Sequence, residues 1–104
     1  MAKTRTINSD LMRAIAQKRL IQFVYKTGRP RIVEPHDYGV RNGAEALLGY
    51  QLSGESRSGQ PHGWKQFEVE DIKQLRVLDR HFQGTRADKA QHHREWDEIF
   101  GRVT

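Results

Sequence analysis

A chain of 104 residues, 36% of them hydrophobic, holds one domain and is too short for two full cores. It has no cysteine, which excludes a disulfide scaffold, Cys-ligated zinc, an iron–sulfur cluster and a thiol nucleophile. The net charge of +5 is carried by residues 1–52, where nine Lys/Arg stand against four Asp/Glu; residues 53–104 hold nine of each. That bias leads us to expect one electropositive, phosphate-attracting face. No apolar run approaches the ~18–20 residues that span a bilayer, and Met1–Asp10 has no signal-peptide stretch, so the expectation is a soluble, cytoplasmic protein.

The first patterned segment follows Ser9 or Asp10, either of which can cap a helix. Leu11, Ala14, Ile15 and Lys18 then fall at i, i+3, i+4 and i+7, a short amphipathic helix with Lys18-Arg19 in its last turn. At Leu20 the period changes to two. Leu20–Tyr25 places Ile21, Phe23 and Tyr25 on one side of a strand. Thr27-Gly28-Arg29-Pro30 is a turn, and Arg31–Val40 is a second strand that must bend or lie at an edge at Pro35. Asn42-Gly43 signals a hairpin.

Ala44–Leu52 alternates, with Ala46, Leu48, Tyr50 and Leu52 expected to face one way. Ser53–Gly63 reads as an exposed loop, Trp64–Val69 as a fourth strand and Leu75–Leu78 as a short fifth. Thr85 can cap a last helix, Arg86–Phe100, with Trp96, Ile99, Phe100 and Val103 as its apolar side. The expected fold is mainly β: an N-terminal helix, a five-stranded antiparallel Sm/SH3-like barrel and a C-terminal helix. It forms a single domain over 1–104, with its core at about 9–82 and the last helix at about 86–100. A ferredoxin-like arrangement would need a helix between strands, and no stretch from Leu20 to Leu78 has helical period.

These blocks resemble the WYL domain, found mostly in bacterial transcription regulators downstream of a winged helix-turn-helix. The matching residues are Ile21-Gln22-Phe23-Val24-Tyr25, then Arg31 before Val33-Glu34-Pro35, then Leu47-Leu48-Gly49-Tyr50, then Lys65-Gln66-Phe67-Glu68-Val69-Glu70-Asp71-Ile72, and a closing Phe82. The match covers Ala14–Phe82, about two thirds of the chain. The Trp-Tyr-Leu of the family name falls on Glu45-Ala46-Leu47, and two family arginines fall on Lys65 and Asp71. About twenty residues precede the first strand, so no helix-turn-helix is expected there. The resemblance implies an Sm-like barrel that senses or binds nucleotides or single-stranded nucleic acid.

Around a family-like pocket we place Tyr25, Arg29, Arg31, His36, Arg41, Tyr50 and Lys65 as nucleotide or nucleic-acid-binding residues. Arginine and lysine suit phosphate, and tyrosine and histidine stack on bases. Each has a plainer reading: the tyrosines as core, the cations as solvated surface, His36 as a turn residue. Trp64, opposite Phe67 on its strand, either stacks on a base or is buried under the last helix; burial is the favoured reading.

His92 and His93 are adjacent, which does not give the i, i+4 spacing of a helical metal pair, and no metal or other cofactor is expected. Glu68 and Glu70, beside Asp71, read as a surface charge cluster. With no G-x-S-x-G, P-loop or G-x-G-x-x-G, catalysis is not expected. The expected function is a non-catalytic, ligand-sensing regulatory module binding a nucleotide or single-stranded nucleic acid. The alternative is a ligand-free interaction module working with a separate regulator. The apolar stripe near the C-terminus leads us to expect a homo-dimer.

Overall fold

A computed structural model describes residues 6–54, 62–87 and 96–104. The chain begins with helix α1 (Ser9–Gln17), then strands β1 (Arg19–Tyr25), β2 (Arg31–Arg41), β3 (Ala44–Ser53) and β4 (Gly63–Glu68). A 3-10 turn (Val69–Asp71), β5 (Ile72–His81) and β6 (Glu98–Arg102) complete it. No helix among the described residues is long and apolar enough to cross a membrane.

The cap of α1 is Asn8, one residue before the expected positions; its side chain accepts the Leu11 N–H at 3.0 Å. The helix ends at Lys18, whose left-handed backbone (φ 54) turns its N–H back to the Ala14 and Ile15 carbonyls. Lys18-Arg19 is therefore not the last helical turn, and Arg19 already opens β1. A nine-residue helix is marginal in isolation. Leu11, Ala14 and Ile15 fix it by burial in the core.

All six strands join one antiparallel sheet in the order β4-β3-β2-β1-β5, with β6 added to β2. β2 pairs with β3 along its length, but its other edge changes partner. Arg31–Val33 pair with β1, whereas Asp37–Val40 pair with β6. Pro35 sits in the gap between them, and the register slips between Pro35 and Asp37, leaving His36 as a bulge residue. Gly39 lets β6 approach, because a Cβ there would run into the Glu98 carbonyl oxygen.

In a flat sheet β4 and β1 would lie about 14 Å apart, three strand spacings. Here the Phe67 ring of β4 lies 5.0 Å from both Phe23 and Tyr25 of β1. The Lys26 N–H also bonds the Asp71 carbonyl at 2.9 Å. The sheet is strongly curled around Phe23, Val33, Tyr38, Leu47 and Phe67. Among the described residues β4 and β5 remain its two ends, and no ladder between them closes a barrel.

Four expectations need correction. β3 turns Leu47, not Leu48, into the main core cluster, although Ala46 and Leu48 are also buried on its other face. β4 starts at Gly63 and stops before Val69. β5 is ten residues long rather than four, because it follows β1 through two register shifts. The expected helix at 86–100 is replaced at its end by β6, while residues 88–95 of it lie outside the described residues. The i, i+3, i+4 spacing of Trp96, Ile99 and Phe100 has no helical meaning here. Phe100 packs edge-on to Tyr38 and Val103 is buried in the same core, so the stripe that suggested a dimer is partly consumed within the chain.

Candidate functional site

The β2–β3–β4 sheet carries polar clusters on both faces, and the ladder register assigns residues to each. On the face that holds Val33, Leu47 and Phe67, strand alternation brings Arg31, Gln51 and Lys65 to one end of the core. Arg31 is only 8% exposed. Its Nη1 donates to Oε1 of the fully buried Gln51 at 3.3 Å. Its guanidinium carbon lies 5.4 Å from the Tyr25 ring centroid and 5.8 Å from that of Phe67. The Tyr25 hydroxyl in turn accepts the Glu68 N–H at 3.0 Å. Burial lowers the pKa of the Lys65 ammonium, and the positive charge of Arg31 lowers it further. Between these cations the Val33 side chain fills the space over Gly49, and the face opens only at Gly63. Lys65 pairs with Gly49, and Gln51 pairs with Gly63, where a Cβ would meet nothing within 4 Å.

On the opposite face Glu34, Tyr50 and Trp64 stand directly across three adjacent strands. The Glu34 carboxylate accepts from His36 Nε2 at 3.1 Å, and from Arg86 Nε and Nη2 at 2.8 Å each. The Arg86 guanidinium lies over Tyr50, its carbon 3.6 Å from the ring centroid. His36 is fully buried between the Trp64 ring at 4.7 Å and the Phe82 ring at 5.4 Å. Its Nδ1 has no hydrogen-bond partner among the described residues. Burial raises the Glu34 pKa, but hydrogen bonds from His36 and Arg86, with the charge of both, outweigh it and hold the carboxyl below its ordinary 4.5. Trp64 packs on His36 and Tyr50 in place of the expected last helix.

The seven residues singled out in the sequence thus do not form one pocket. Arg31, Lys65 and Tyr25 meet on the inner face. Arg29 is exposed in the turn before β2, next to that cluster in sequence. His36 and Tyr50 lie on the outer face. Arg41 is at the far end of β2, where its Nη1 donates to Gln66 Oε1 at 2.6 Å. Sequence reasoning missed Gln51 and Arg86 as members of either cluster; Gln51 lay in a strand of apolar residues, and Arg86 was assigned to a helix. The carboxylates of Glu68, Glu70 and Asp71 lie within 4.8 Å of one another around the exposed 3-10 turn.

No family model matches the sequence, and no curated protein does. Among solved structures the fold is similar to part of proteasome accessory factor B/C (PafBC) of Arthrobacter aurescens, with a TM-score of 0.58 and 24% identity. The alignment covers 84% of this chain and only 14% of that one. What the two share is the fold: one helix followed by a curled antiparallel sheet.

Proposed function

We propose that this chain is a non-catalytic regulatory module with a WYL-like fold that binds a nucleotide or single-stranded nucleic acid through the Arg31–Lys65 cluster. One observation carries the reading. Two cations from β2 and β4 are brought close together, Arg31 over the Tyr25 ring, beside Gly63, where a side chain would meet nothing within 4 Å. Phosphate suits the cations, and Tyr25 offers a ring for a base. The fold likeness to a segment of a proteasome accessory factor supports a regulatory role, and the WYL resemblance of the strand blocks supports the ligand class. The replacement of the family's Trp-Tyr pair by Glu45-Ala46 favours a second reading, an interaction module that works with a separate regulator.

Fluorescence anisotropy of labelled single-stranded DNA and RNA tests the reading. If Arg29, Arg31 and Lys65 neutralise three phosphates, log affinity falls against log salt with a slope of about −2. Arg31→Ala flattens that slope by about 0.7, whereas Arg41→Ala leaves it unchanged. Absence of binding at low salt, or equal effects of the two variants, overturns the assignment and leaves the interaction module.

A further inference from the structure

Beyond the β1 ladder, the edge of β2 from His36 to Val40 forms a slot that the segment Asp97–Val103 fills. The Asp97 N–H bonds the Val40 carbonyl and its Oδ2 accepts the Gly43 N–H, each at 2.8 Å. At the other end the Val103 N–H bonds the His36 carbonyl at 2.8 Å, and its side chain is buried. Between them Arg102 Nε donates to the fully buried Asp37 carboxylate at 3.1 Å. The Phe100 ring packs edge-on to Tyr38, with centroids 5.1 Å apart. Two positions must lack a side chain. Gly39 admits the Glu98 backbone, and a Cβ at Gly101 would lie 3.1 Å from the Met12 sulfur. The slot therefore reads sequence: Asp, Phe, Gly, Arg and Val at 97, 100, 101, 102 and 103. A segment that meets these demands is present in every copy of the chain.

None of these contacts depends on which copy supplies the segment. They run to β2, to the β2–β3 turn and to α1, not to β5, the strand that precedes the segment in the chain. Ten residues, 88–97, separate Ala87 from Glu98. Fully extended they reach about 35 Å. The shortest dimension of the molecule is 27 Å, so the segment is within reach of a neighbouring copy. We propose that a second copy of this chain seats its Asp97–Val103 segment in the slot and receives this copy's segment in return, as a closed, two-fold, strand-exchanged dimer. Both forms make the same bonds, so concentration decides between them. A short connection gives an effective concentration of about 1 mM, and exchange competes at that level of protein. The dimer uses the end of β2 opposite Arg31 and stands whether or not the Arg31–Lys65 cluster binds nucleic acid.

The chain has no cysteine, so a thiol pair placed across the ladder has no competitor. Val40 and Glu98 are register partners. Directly opposed residues have Cα atoms about 4.5–5.5 Å apart, within disulfide range. The full chain carrying Val40→Cys and Glu98→Cys is refolded reduced at about 10 µM and at about 1 mM, then oxidised and run without reductant. The expected products are a monomer with an internal disulfide at the low concentration and, at the high one, a covalent dimer in about tenfold or greater share. Glu98→Cys alone should give no such dimer. The parent chain supplies a second arm, which serves if the double variant does not fold. A mixture of isotope-labelled and unlabelled chains, refolded together at about 1 mM, should show nuclear Overhauser contacts between Phe100 of one copy and Tyr38 of the other. The proposal fails if the double variant stays monomeric at both concentrations, or if Glu98→Cys alone dimerises to the same extent. It also fails if the Phe100–Tyr38 contacts in the parent mixture lie within one chain, even where light scattering reports a dimer, because that dimer would use another face.

Discussion

The two faces of the β2–β3–β4 sheet treat charge in opposite ways. On the outer face an acid lies between two basic side chains, and Glu34 has its carboxylate bonded by both His36 and Arg86. On the inner face two cations stand together, and each is partly withdrawn from water. The consequences for titration run in parallel but differ in meaning. Glu34 is kept ionised below the ordinary 4.5 because its partners overcome burial. Lys65 is pushed below the ordinary 10.5 because burial and Arg31 act together against its charge. The outer cluster therefore favours the folded state with Glu34 ionised, whereas on the inner face burial and Arg31 work against the charged form of Lys65.

The largest effect on this comparison comes from removing the ring beneath the inner cations. Phe67→Ala leaves a cavity between Phe23 and Tyr25 and is expected to cost about 3–5 kcal/mol in urea unfolding. A cost below about 1 kcal/mol would show that the inner face does not rest on a packed core.

Glu34→Gln comes next, at about 1.5–3 kcal/mol at pH 7, the range for hydrogen bonds to a charged group. The folded pKa of Glu34 lies below its unfolded value of 4.5, so its contribution is complete above 4.5 and lost as pH falls through the folded value. Stability profiles of parent and variant should converge on acidification. Parallel profiles would remove Glu34 from the outer network.

The smallest effect separates the faces most sharply. Lys65→Gln should change stability at pH 7 by less than about 1 kcal/mol, and in the stabilising direction. A base whose folded pKa is depressed penalises folding while protonated. The parent protein therefore gains stability as pH rises through that value towards 10.5, and the variant does not. A clear loss of stability in the variant at pH 7 would show Lys65 to be a structural partner like Arg86.

The local pattern of the chain determined a good deal. Apolar spacing marked α1, alternation marked Ile21, Phe23 and Tyr25, and Asn42-Gly43 marked the hairpin between β2 and β3, all of which the structure contains. These features rest on contacts within a few residues, where backbone geometry and side-chain period are coupled. Tertiary structure decided the rest. Trp96, Ile99 and Phe100 are spaced like a helix face, but Glu98–Arg102 lies along the part of the β2 edge that β1 leaves unpaired, and inter-strand hydrogen bonds override the spacing. Glu34 recruits Arg86 from 52 positions away, and Asp37 recruits Arg102 from 65, so first-half acids are neutralised by second-half cations. Lys65 is brought to Arg31 by two ladders through β3. No period along the chain encodes such pairings, because they depend on the sheet's curl and on the bulge at His36.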